Sequence, residues 1–137
     1  MKDVITYLNF DGDCRAAMEF YKKCLGAELY IMPFSDAPGH WPKEAKDRTA
    51  HATLTKGSTL LMASDTMPGM PFQPGNNFSM MIQCESLQEI EMLFSALGEK
   101  GKVTMALQET FWADRFGTPT DQFGVNWIFN LEQPKRG

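Results

Sequence analysis

The sequence predicts an α+β protein built from two β-α-β-β-β modules. Three observations carry this. Two stretches, 14–25 and 86–99, place apolar residues at helical spacing. Short segments around each helix alternate apolar and polar residues, the period of strands. A shift of 72 residues lays Leu8 on Met80, Phe10 on Ile82, Asp13 on Glu85 and Leu25-Gly26 on Leu97-Gly98. Both helices are expected outside the sheet, and the strands are not expected to run parallel.

The elements follow in order. Val4 to Phe10 alternates, with Leu8 and Phe10 on one face and Ile5, Tyr7 and Asn9 on the other. Asp13 is placed to cap a helix from Cys14 to Leu25. Ala17, Phe20, Tyr21 and Cys24 form its apolar stripe, Lys22 and Lys23 suit its C-terminal end, and Gly26 closes it. Ala27 to Phe34 reads as a second strand, followed by a polar loop over 35–47. Arg48–Thr55 and Ser58–Ser64 read as a hairpin across Lys56-Gly57. The joint between modules is expected near 72–77, giving modules 1–72 and 73–137 within one domain. Phe78–Cys84 is a strand. Ser86, with Glu89 three residues on, opens a helix whose stripe is Ile90, Leu93, Phe94 and Leu97. Val103–Gln108 follows as a strand. The tail from Glu132 is expected to fray.

At 137 residues the chain is one domain by length and large enough to bury a core. A hydrophobic share of 43% with 22% charged residues is ordinary for a globular protein. A net charge of -4 and no basic stripe argue against nucleic acid and anionic membranes as partners. No apolar run is long enough to span a bilayer, and MKDVITYLNF has no signal-peptide plan, so a cytoplasmic protein is expected. Cys14, Cys24 and Cys84 form no CxxC pair. They read as small buried thiols in a reducing compartment, or as one catalytic thiol.

Hairpin register selects a candidate site. If Lys56-Gly57 is the turn, Thr53 faces Leu60, His51 faces Met62 and Thr49 faces Ser64. Thr49, His51, Thr53, Leu60, Met62 and Ser64 then share one face. Ala50, Ala52, Leu54, Leu61 and Ala63 share the other, small and apolar enough to lie under a helix. His51 is the leading candidate for ligand contact. It is expected opposite Met62, with at least one ring nitrogen free. The bland alternative is a histidine satisfied by its neighbours. Tyr7 and Asn9 are expected on the same side.

The stretch Glu109 to Asn130 is the least generic. Phe111, Trp112 and Phe116 sit among Glu109, Asp114 and Arg115, with Gly117, Pro119 and Asp121 as punctuation before an apolar strand at Val125–Phe129. Trp112, Ala113, Arg115, Asp121 and Gly124 resemble the last hairpin of the vicinal oxygen chelate superfamily, which includes glyoxalase I, ring-cleaving dioxygenases and bleomycin-resistance proteins. Tyr7 to Gly12, Phe20-Tyr21, Leu25-Gly26 and Met62 to Asp65 are similar to its PhnB-like branch, also labelled 3-demethylubiquinone-9 3-methyltransferase domains.

The resemblance implies an open eight-stranded mixed sheet or barrel around a cavity, helices outside, and a homodimer. It also implies a place for a metal, with one ligand from each of four strands. Those positions fall on Ile5 or Tyr7, on Met62, on Ser79 or a neighbour, and near Ile128. None is imidazole or carboxylate, so no metal and no other cofactor is expected. The expected function is small-molecule binding in a mostly apolar cavity lined by Tyr7, Asn9, His51, Thr53, Met62, Ser64, Trp112 and Trp127. The alternative is a superfamily isomerase, lyase or dioxygenase using a cryptic metal or a His51/Glu109 acid–base pair. A methyltransferase would need a place for adenosylmethionine, and no glycine-rich βα turn of the G-x-G-x-x-G kind is present.

Overall fold

The computed structural model describes residues 1–134. Two compact units divide the chain, Met1–Gln73 and Pro74–Gly137. The first holds β1 (Thr6–Phe10), α1 (Cys14–Leu25), β2 (Glu28–Pro33), β3 (Thr49–Lys56) and β4 (Thr59–Asp65). The second holds β5 (Met80–Cys84), α2 (Leu87–Gly98), β6 (Lys102–Gln108), β7 (Ala113–Thr120) and β8 (Trp127–Glu132). Each unit is a four-stranded mixed sheet, ordered β1-β4-β3-β2 and β5-β8-β7-β6. The α+β class and the repeated β-α-β-β-β order stand.

The two expectations about strand direction part here. β1 runs parallel to β4, and β5 to β8, so the mixed sheet stands and the exclusion of parallel strands fails. The reason is directional. A strand-helix-strand crossover returns the chain in its original direction, and two hairpins then reverse it twice. β1, β2 and β4 therefore point the same way, and β1 beside β4 must be parallel.

In the first unit one sheet face packs on α1. Leu8, Phe10, Ala52, Leu54, Leu61 and Ala63 are buried there. The helix turns Cys14, Ala17, Met18 and Tyr21 inward. Phe20 and Cys24, read as part of the stripe, are only half-buried at its edge. In the second unit Ile90, Leu93 and Leu97 of α2 are buried, and Phe94 meets Phe129 edge-on at 5.6 Å.

The helix starts differ. Ser86 accepts the Glu89 N–H at 3.1 Å, and Glu89 reaches back to the Glu85 N–H at 2.8 Å, close to the capping box the sequence announces. Asp13 makes no side-chain cap. Asp65, at the end of β4, takes that role. Its carboxylate accepts the N–H groups of Gly12 at 2.8 Å, Cys14 at 3.0 Å and Thr49 at 2.8 Å. Arg48 bonds Asp11 at 2.8 Å and the Thr66 carbonyl at 3.0 Å, tying the loop before α1 to the one after β4.

The last hairpin also departs from the sequence reading. Gly117 and Pro119 lie inside β7, and β8 begins at Trp127 and extends to Glu132. Gly117 is required by contact, since a Cβ there would sit 2.8 Å from the Phe94 ring and 3.0 Å from Leu107. Pro119 pairs with Val103 of β6 and has no ladder partner on β8. It falls between the Gly117–Phe129 pair and the isolated Thr120–Asn126 bridge, where a missing N–H is tolerated. Gln133 donates to the carbonyls of Thr110 and Phe111, so fraying does not start at Glu132. Residues 135–137 of that tail lie outside the described residues.

Candidate functional site

The turn between β3 and β4 is Gly57-Ser58, with Lys56 paired to Thr59. Gly57 has φ +58° at the first turn position, as a Gly-first hairpin turn requires. The strands therefore slip by two residues from the expected register. Thr53, not His51, stands opposite Met62. A slip of two preserves faces, so the predicted face survives while its pairs change. Thr49 is the exception on that face: it is fully buried where β2 is irregular between Met32 and Pro33.

The face away from α1 carries a row across four strands: Tyr7, Met62, Thr53 and Tyr30. Beside it His51 pairs with Met32, and Asn9 pairs with Ser64. His51 Nδ1 lies 3.3 Å from the Tyr7 hydroxyl and Nε2 lies 3.0 Å from the Thr53 hydroxyl. The Tyr7 and His51 rings are 5.9 Å apart. The expected free nitrogen is thus absent. Both ring nitrogens have partners because the Tyr7 and Thr53 hydroxyls flank the ring. A hydroxyl donates or accepts, so the trio satisfies either neutral tautomer and the imidazolium. The chemical capacity is a proton path, Tyr7 to His51 to Thr53, along an exposed phenol, a half-buried ring and a half-buried hydroxyl.

The remaining candidates belong to the second unit. Glu109 is exposed just beyond β6. Arg115 turns to Asp114, donating to its carbonyl at 2.7 Å with the carboxylate at 3.7 Å. Trp112 meets Phe111 at 4.6 Å and Phe116 at 5.3 Å, both edge-on. Trp127 is 3% exposed and donates its indole N–H to Asp121 at 2.8 Å, placing it in the core. Asp121 also accepts from the N–H groups of Phe123 and Val125, the turn role the sequence indicates.

The superfamily's metal does not fit these residues. Where first and last strands pair, the side chains are Tyr7 with Met62 and Met81 with Ile128. Among the described residues no three His, Cys, Asp or Glu side chains converge. Thioether and alkyl groups do not hold a hard or borderline divalent ion. Cys14 and Cys84 are ill-suited as thiol nucleophiles. Burial, then the charge of Asp65, pushes Cys14 up to about 12, and burial with Glu89 pushes Cys84 up to about 11.

Sequence reasoning missed Asp65 and the pair Gln83 and Asn130. Asn130 Nδ2 donates to Gln83 Oε1 at 2.7 Å. The available signal was a polar residue inside the apolar run from Trp127 to Leu131.

The repeated modules define the fold of the vicinal oxygen chelate superfamily. A glyoxylase/bleomycin resistance protein/dioxygenase domain from Frankia sp. EAN1pec shares the fold at 14% identity and TM-score 0.65, over 97% of this chain and 99% of that one. The chain belongs to the PhnB-like family described as 3-demethylubiquinone-9 3-methyltransferase, which matches residues 2–129. Protein YjdN of Escherichia coli K12 is 37% identical, over 93% of this chain and 95% of its own. The structure of PA1353 from Pseudomonas aeruginosa is 44% identical with TM-score 0.90, over 98% and 100% of the two chains. The putative 3-demethylubiquinone-9 3-methyltransferase, PhnB protein, from Bacillus cereus is 28% identical with TM-score 0.76, over 95% and 99%. Among the described residues no helix is long and apolar enough to cross a membrane.

Proposed function

We propose that this protein binds a small, mostly apolar molecule on the open face of its first sheet, without metal, as a cytoplasmic homodimer. The observation that carries the reading is the imidazole of His51, held between the Tyr7 and Thr53 hydroxyls beside Met62 and Met32. Thioether and aromatic walls with a few oriented polar groups are what a small-molecule site needs. Asn9 and Ser64 supply further polar contacts at its side.

The test begins with a thermal-shift screen of aromatic acids and alcohols. His51→Ala then loses about 1–3 kcal/mol of affinity for the best compound, with its melting temperature nearly unchanged. A variant that melts early yet binds normally makes His51 structural and overturns the reading.

The hydrogen-bonded Tyr7–His51–Thr53 path favours one second reading, acid–base turnover without metal, with Glu109 as a further base. Mass spectrometry of bound compounds after incubation separates it from binding: a product formed by the wild type and missing with His51→Ala establishes the enzyme. The methyltransferase named by the family predicts saturable heat on titration with adenosylmethionine. The binding reading predicts none.

A further inference from the structure

We infer that the second unit carries a receptor for an aromatic hydroxyl or N–H donor, centred on the Asn130 carbonyl oxygen. This goes beyond the first-sheet reading and stands on other residues. Asn130 lies on β8 between Gln83 of β5 and Phe116 of β7, and Gln108 of β6 extends the row. Its neighbours Phe129 and Leu131 are buried on the α2 side, so Asn130 projects from the opposite face. Asn130 is 7% exposed, and its Oδ1 is buried without a hydrogen-bond partner. Buried acceptors of this kind are rare because desolvation goes uncompensated.

The orientation of the amides follows from chemistry. Gln83 Nε2 contacts the Met81 sulfur at 3.7 Å, and a thioether only accepts. That fixes Gln83 Oε1 toward Asn130, which must answer with Nδ2. Turning Asn130 alone would set oxygen against oxygen. The unpaired atom is therefore the acceptor, and what it lacks is a donor.

The class of donor is read from the surroundings. Phe111 is 89% exposed, Trp112 half that, and Phe116 half-buried. Their rings touch edge-on in succession, and Phe116 stands in register beside Asn130. A run of aromatic rings thus extends from the exposed Phe111 to Phe116, the cross-strand partner of Asn130. A flat ring bearing one O–H or N–H matches both parts, the ring against the aromatic edges and the donor on Oδ1.

Phenol and anisole isolate the donor, since they differ by a methyl cap on one oxygen. Binding is followed by NMR of the indole N–H and side-chain amide signals. The wild type is expected to prefer phenol by about tenfold, the worth of one hydrogen bond to an otherwise unpaired buried group. Asn130→Leu is expected to abolish that preference while holding anisole as well as before, and Asn130→Ala serves if the leucine does not fold. Equal binding of the two probes, failure of both at millimolar concentration, or a preference that survives the substitution overturns the proposal. So does a crystal structure of the free protein with an ordered water bridging Oδ1 to other polar groups.

Discussion

His51 keeps its sheet face because the hairpin slipped by two residues rather than one. The sequence offers two glycine-containing dipeptides, Lys56-Gly57 and Gly57-Ser58, and the pattern of apolar residues does not choose between them. The choice rests on Gly57 occupying the first turn position at positive φ, a backbone property that alternation does not encode. Side-chain faces were therefore legible and partners were not. Asp11 shows a charge effect at the same scale. The hydrogen bond from Arg48, ahead of that from Thr66, holds its carboxyl below the usual aspartate value. A depressed folded value means stability present above the unfolded value and lost as pH falls through the folded one. Asp11→Asn should melt below the wild type at neutral pH, and the two melting curves should converge below about pH 4. Curves that stay apart in acid would assign the Asp11 effect to something other than its charge.

Between elements, backbone approach decides what sequence pattern leaves open. Both helices were legible because each buries one stripe against one sheet, and their bounds fall within a residue of expectation. The last hairpin was less so. Gly and Pro signal turns by default, yet Gly117 admits Phe94 and Leu107 against the strand, and Pro119 stands in a gap of the β7–β8 ladder, between Gly117–Phe129 and the Thr120–Asn126 bridge. Gly117→Ala should cost about 1–3 kcal/mol, since the new methyl must displace an aromatic ring and the Leu107 backbone. Chemical denaturation measures it. A cost near zero would mean that Phe94 moves freely.

Across the whole molecule the repeat made the architecture readable, though the 72-residue shift is slightly short. First strands begin at Thr6 and Met80, and helices at Cys14 and Leu87, offsets of 74 and 73. The candidate site was only partly readable. Tyr7, His51, Thr53 and Met62 meet as one face, whereas the amide pair of Gln83 and Asn130 needs cross-strand register to be seen. β6 is an edge strand with Val103 and Met105 exposed. Such an edge gains from cover by a second copy. Sedimentation at micromolar concentration should show a dimer, and a sole species of 15.5 kDa would remove that proposal.

The carboxylate that starts α1 sets an order of events in folding. Asp65 reaches its amides from 51 and 53 residues away, whereas the cap of α2 lies three residues from its partner. The cap of α2 is expected to close as soon as its first turn forms, and that of α1 only once a strand at the far end of its unit has docked. Loop closure over that distance precedes any gain from the contact. In stopped-flow measurements Ser86→Ala should mainly slow refolding, and Asp65→Ala should mainly speed unfolding. An equal retardation of refolding by Asp65→Ala would show that β4 docks before the barrier is crossed.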